Sequence, residues 1–177
     1  MDLKGSRTEA NLMAAFAGES MARNKYTFFA SQAKKEGFEQ ISGIFLETAE
    51  NEKEHAKLWY KLAVGIGNTA ENLKTAASGE HEEWTQMYKE FEQIAREEGF
   101  ESIANMFKEV GEVEEEHEKR YNKLIQNVED GKVFKKDEPI AWRCRNCGYV
   151  HYGTEAPDVC PACAHPQAYY EVAAENF

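Results

Sequence analysis

Apolar positions recur in alternating steps of four and three along two stretches of the chain, 41, 45, 48, 52, 55, 59, 62 and 103, 107, 110, 114, 117, 121, 124. That period belongs to a helix presenting one seam to a neighbour. Ile41, Phe45, Thr48, Trp59 and Leu62 in the first seam correspond to Ile103, Phe107, Val110, Tyr121 and Leu124 in the second. The two middle places of each seam break the pattern, for they hold Glu52 and His55, then Glu114 and His117. Residues 33–62 and 95–124 share 15 identities in 30 positions, so the seams are copies of one another. Just ahead of each, Glu36-Gly37-Phe38 and Glu98-Gly99-Phe100 have the form of a helix end with a left-handed glycine followed by an apolar residue. Each half is therefore a helical hairpin.

Ser6 and Glu9 fit a capping box opening a first helix that runs to about residue 36, and a third helix is expected to start near Ser78. The stretch between, Gly65–Ala77, is long enough to cross the length of a bundle. The predicted fold class is all-α, a four-helix bundle of ferritin-like connectivity with one long crossover between helices two and three. Beyond Gly131 the composition changes, since all four prolines and all four cysteines lie there. With the charged segment Glu129–Pro139 as a linker, the chain divides into residues 1–134, the helical bundle, and 135–177, a small β/loop metal domain.

The remaining two helices also turn acidic residues inward. Glu19 lies on the stripe Leu12, Ala15, Glu19, Ala22, Tyr26, Phe29, Ala33, and Glu80 on Glu80, Trp84, Met87, Phe91, Ile94. One Glu from each of two helices and a Glu-x-x-His from each of the other two is the donor set that holds two carboxylate-bridged metal ions. Burying those carboxylates without a cation is costly, so seam-position Glu calls for metal or a strong pKa shift. Tyr26 follows Glu19 by seven residues, whereas Tyr88 follows Glu80 by eight. The extra residue predicts a π-bulge beside Glu83, a candidate seventh ligand, although Glu83 also suits an exposed first-turn acid. Tyr26 and Tyr88 are candidate proton donors, or else packing aromatics. His81, His151 and His165 have no matched partners and are read as non-ligands.

The cysteines Cys144, Cys147, Cys160 and Cys163 form a C-x2-C-x12-C-x2-C tetrathiolate for a single metal ion, and zinc and iron both fit. Trp142, Tyr149, Tyr152, Tyr169 and Tyr170 supply more aromatic filling than a structural zinc ribbon needs.

Against 21 Lys and Arg stand 32 Asp and Glu, a formal charge of −11, which disfavours nucleic acid and anionic membrane surfaces as partners. No run approaches the ~18 apolar residues of a spanning helix, and the first residues lead into no signal-peptide apolar region, so a cytoplasmic location is expected.

Two Glu-x-x-His helices in a glutamate-lined bundle, followed by Trp-Arg-Cys-Arg-Asn-Cys-Gly-Tyr and Cys-Pro-Ala-Cys-Ala-His-Pro, resemble the rubrerythrin family over nearly the whole chain. The resemblance implies a rubredoxin-like tail binding one iron and a non-haem di-iron centre in the bundle, three irons per chain, reducing hydrogen peroxide to water. By position it implies Glu19, Glu83 and the bridging Glu52 and Glu114 at the first iron, with His55 near it. Glu80 and His117, with the same bridges, would serve the second. It further implies a soluble rubredoxin-type or flavoprotein electron donor and a homodimer. Ala164 departs from the pattern of free-standing rubredoxins, which generally have Gly after the last cysteine. The rival reading is a ferroxidase or iron-handling protein, and a second is a non-enzymatic zinc-ribbon module joined to a metal-stabilised bundle.

Overall fold

Two long helices, α1 (Arg7–Lys35) and α2 (Glu39–Ala63), pair as the first hairpin. The computed structural model describes residues 2–175, which fall into two units, one ending at Gly67 and the other starting at Asn68. At the head of α1 the Ser6 hydroxyl accepts from the Glu9 amide at 3.1 Å, as expected of a cap. The Glu9 carboxylate accepts from the Gly5 amide at 2.6 Å rather than from that of Ser6, so the box closes one residue early. Gly37 ends α1 with φ +85°, its amide donating to Lys34 O while Phe38 N donates to Ala33 O. These two bonds define a Schellman motif and turn the chain directly into α2.

The second unit repeats the device. Its first helical run is α3 (Thr69–Glu82), a π-helical segment over Glu83–Met87, and α4 (Tyr88–Glu97); α5 (Glu101–Glu129) returns along it. Gly99, at φ +83°, makes the same pair of bonds to Arg96 O and from Phe100 N to Ala95 O. The third helix begins at Thr69 rather than near Ser78, because Asn68 and Glu71 form a reciprocal capping box. Residues 69–77 contain no Gly or Pro to oppose a helix once it is capped. The connection between α2 and α3 is accordingly Val64–Asn68, shorter than the spacing of residues predicted.

Small residues line the hairpin contacts. Ala30, Ala33, Ser42, Ala49 and Ala56 are buried in the first hairpin, and Ala77, Ala95, Ala104 and Gly111 in the second. A methyl group on Gly111 would stand 3.2 Å from the Tyr88 Cβ, so the helices approach closely beside that tyrosine.

The tail is a three-stranded antiparallel sheet in the order β2-β1-β3, from β1 (Lys135–Cys144), β2 (Val150–Glu155) and β3 (Tyr170–Val172). Pro139 falls where the β1–β2 register is irregular, between Lys135 and Ile140, and β3 pairs only with residues 142–144. It therefore costs the sheet no ladder bond. Trp142, Cys144, Ala156, Cys160 and Tyr170 form the core, and the Trp142 indole donates to Gly153 O at 3.0 Å. Among the described residues no helix is long and apolar enough to cross a membrane.

Candidate metal centres

Each helical hairpin holds one carboxylate–imidazole triad, and the two are nearly superimposable in their distances. On α1 and α2, His55 Nδ1 lies 2.8 Å from Glu52 Oε2 and 3.9 Å from Glu19 Oε1. On α5 and α3, His117 Nδ1 lies 2.7 Å from Glu114 Oε2 and 3.7 Å from Glu80 Oε1. Within each triad the donor atoms lie within 4.8 Å of one another. A helix brings residues three apart onto adjacent turns of one face, which is how Glu-x-x-His presents both donors to the same point. Beneath each triad sits the same aromatic triplet. Tyr26, Phe29 and Phe45 have ring centroids 6.4, 6.2 and 5.7 Å apart, and Tyr88, Phe91 and Phe107 have them 6.4, 6.2 and 5.6 Å apart. The duplication visible in the residues extends to the geometry.

Glu83 opens the π-helical segment, in which the Tyr88 amide donates to Glu83 O five residues back. Its carboxylate is outside the second triad's donor cluster, yet close enough for its charge to act on Glu80 and Tyr88. Burial holds the Glu80 carboxyl above the usual carboxylate range, followed by its hydrogen bond to Glu114 and that residue's charge, against an opposing pull from His117. The Tyr88 phenol is likewise raised, by burial and then by Glu114, Glu83 and Glu80. This crowding of acids is the electrostatic condition a pair of divalent cations relieves. Two Glu-His triads with an extra Glu are hard oxygen and imidazole donors suited to iron or manganese.

The second hairpin also contains a network with no counterpart in the first. Glu118 accepts from the Trp84 indole at 2.5 Å and contacts His81 Nδ1 at 3.1 Å. The Trp84 bond, and then His81, lower the Glu118 carboxyl below its ordinary range against its partial burial. Glu118 aligns with Ala56 in the first copy, so the repeat gives no signal for it. His81 is occupied in this network, and His165 sets Nδ1 3.1 Å from Cys163 O with its ring against Tyr169.

In the tail the four sulfurs lie within 4.8 Å of one another. Cys144 Sγ to Cys163 Sγ and Cys147 Sγ to Cys160 Sγ are both 3.7 Å. A disulfide requires about 2.05 Å. A tetrahedral ion with metal–sulfur bonds of about 2.3 Å sets its sulfurs about 3.8 Å apart, so the tetrathiolate fits a metal without rearrangement. The two CxxC turns are equivalent: Gly148 N donates to Cys144 O and Ala164 N to Cys160 O, each at 2.9 Å, while Cys144 N and Cys160 N donate to Tyr149 O and His165 O at 2.8 Å. At Cys160, burial opposes ionisation, but the Tyr170 hydroxyl and the amides of Ala162 and Cys163 outweigh it and bring the thiol down to about 6. The Tyr170 hydroxyl is buried with no hydrogen bond of full geometry, and the Cys160 sulfur is the acceptor beside it. A thiolate fixed by a metal gives that orphaned donor its partner.

The rubrerythrin family model matches residues 10–125, and the model for the rubrerythrin rubredoxin-like domain matches residues 142–171. Rubrerythrin of Porphyromonas gingivalis is 56% identical over 188 residues, covering 99% of this chain and 94% of that protein. Rubrerythrin of Nitratidesulfovibrio vulgaris is 52% identical, covering 99% and 98%. Among solved structures, partially reduced nigerythrin matches at 30% identity over 97% of this chain and 91% of its own, with a TM-score of 0.37. The four clustered cysteines are the iron site of a rubredoxin-like domain and the carboxylate–histidine groups those of a di-iron site. With both family models matched in order along its length, this chain belongs to the rubrerythrin family.

Proposed function

We propose that the protein is a peroxidase, reducing hydrogen peroxide to water in the cytoplasm with electrons relayed through the tail. The observation that carries the reading is the presence, in one chain, of duplicated carboxylate–histidine triads and a tetrathiolate site held by rubredoxin-like turns. A di-iron pair held by the bundle would supply two-electron chemistry toward peroxide, and an iron held by the four cysteines would supply one-electron transfer. Glu19, Glu52, His55, Glu80, Glu83, Glu114 and His117 would hold that pair, and Cys144, Cys147, Cys160 and Cys163 the single iron.

The chain's own groups then have the task of supplying protons. Reduction of one peroxide to two waters consumes two protons, and Tyr26 and Tyr88 stand at matching places to hold them. Tyr88 keeps its phenolic proton above the ordinary tyrosine range because burial and the charges of Glu114, Glu83 and Glu80 oppose its loss. Bundle and tail correspond to residues 1–134 and 135–177, the working partners being a soluble rubredoxin or flavoprotein donor and a second copy of the chain.

Anaerobic stopped flow tests the proposal. The fully reduced protein, mixed with hydrogen peroxide or with oxygen, is followed at the visible band of the ferric tetrathiolate. Rapid colour with peroxide and much slower colour with oxygen is the expected result. Faster reaction with oxygen, or bundle oxidation while the tail iron stays ferrous, would instead favour iron oxidation as the activity.

A further inference from the structure

We infer that the Tyr170 hydroxyl donates a hydrogen bond to the Cys160 sulfur of the metal-loaded tail, and that this bond raises the reduction potential of the tetrathiolate iron. The inference rests on the tail holding iron and not on peroxide being the substrate.

The backbone fixes where the phenol lies. Tyr170 stands opposite Cys144 in the β1–β3 ladder, so the two side chains leave the same face of the sheet. Bonds on either side of it, Arg145 N to Tyr169 O at 2.8 Å and Ala173 N to Ala141 O at 2.9 Å, hold the strand in place. The ring packs into the core with Trp142, Ala156, Cys144 and Cys160, and Tyr170 is 4% exposed, Cys160 1% and Cys144 0%. Among the described residues, its hydroxyl is the one buried side-chain nitrogen or oxygen without a hydrogen-bond partner. The Trp142 indole of the same core already donates to Gly153 O.

A buried hydroxyl without an acceptor opposes folding, and a phenylalanine would fill the same space free of that penalty. The acceptor beside it is the Cys160 sulfur. A thiol accepts weakly, whereas the thiolate that a metal fixes there is a charged acceptor. The phenol therefore gains its partner when the site is filled. Cys160 also takes the amides of Ala162 and Cys163, so the hydroxyl is a third donor converging on one sulfur.

The consequence is electrostatic. Four thiolates around ferric iron carry one net negative charge and around ferrous iron two, so reduction adds one electron and moves no proton. Much of the added charge falls on the sulfurs, and a donor aimed at one of them holds the ferrous state more strongly than the ferric. With Cys144, Cys160 and Tyr170 all buried, water does not screen that difference. The hydroxyl thus makes the tail a readier acceptor of an electron from a soluble rubredoxin or flavoprotein donor.

The test is a redox titration of the iron-loaded full chain, wild type and Tyr170→Phe, with a chemical reductant and mediators, followed at the visible band of the ferric site. Tyr170→Phe removes one oxygen and keeps the ring, so the core retains its shape. At a fixed ambient potential the ferrous-to-ferric ratio should fall about tenfold in this variant, which is about 59 mV for a one-electron couple. Tyr152→Phe, which removes a hydroxyl from a residue 76% exposed, should titrate with the wild type. An unchanged or higher potential in Tyr170→Phe, or an equal fall in Tyr152→Phe, overturns the proposal. A second measurement needs no variant. In the wild-type chain loaded with a spin-active cadmium isotope, the Tyr170 hydroxyl proton should show a nuclear coupling to the tetrathiolate cadmium through the Cys160 sulfur. A hydroxyl proton uncoupled from the metal also overturns it. Neither readout uses peroxide: a wild-type protein that fails to reduce peroxide removes the proposed function and leaves the Tyr170 bond standing, and an unmoved potential in an active peroxidase does the reverse.

Discussion

Ala164 takes the left-handed conformation, φ 57°, at the place in the second CxxC turn where Gly148, φ +81°, stands in the first. A Cβ in that conformation costs about 1–2 kcal/mol, part of which glycine would return to the unfolded chain as entropy. Ala164→Gly should therefore stabilise the metal-loaded tail by about 0.5–1 kcal/mol, read as a higher denaturant midpoint for loss of the tetrathiolate colour; an unchanged or lower midpoint would contradict this. Other residues differ in how openly the sequence displays them. The Glu and His of each triad were legible because they interrupt an apolar seam at the same place twice. Glu118 was not, since it occupies no seam position and its role depends on Trp84 and His81 reaching it from another helix. Glu83 stands between, signalled by a spacing of eight where the first copy has seven, yet set apart from the donor cluster of its own hairpin.

Among the elements, the π-helical segment shows how a helix absorbs an inserted residue. Glu80 remains in register with Glu114 and His117, and Tyr88 with Phe107, on either side of the extra residue, because the widened turn at Glu83–Met87 restores the face. The start of α3 was misplaced for a different reason. Residues 69–77 carry a single large apolar side chain, Leu73, so their period is faint, and the beginning of the helix is set by Asn68 and Glu71, whose side chains accept from each other's amides at 3.0 and 2.8 Å. Removing that reciprocal cap with Asn68→Ala should cost about 1 kcal/mol and lower the thermal midpoint by about 2–4 °C, as followed by far-UV circular dichroism. A midpoint unaffected by the change would mean that packing, not the cap, fixes this helix end.

For the molecule as a whole, the two kinds of metal site relate differently to folding. The helices keep their backbone bonds within themselves, whereas the tail's core consists of Trp142, Ala156 and Tyr170 together with two of the four metal-binding cysteines. A domain of that size leans on its metal for stability. Chelation of the tail metal should thus expose Trp142, shifting its fluorescence to the red with little loss of helical circular dichroism, and a sheet that persists without metal would refute the dependence. The sequence by itself determined the helical hairpins, the duplication, the two Glu-x-x-His pairs and the tetrathiolate, because each is written in local spacing: seams of four and three, Glu-x-x-His, CxxC and left-handed glycines. Only the tertiary structure decided where α3 begins, how short the connector is, which residues pair with Glu118, and that each triad clusters within its own hairpin. Those features depend on contacts between segments distant along the chain and on cap bonds whose strength no periodicity reports.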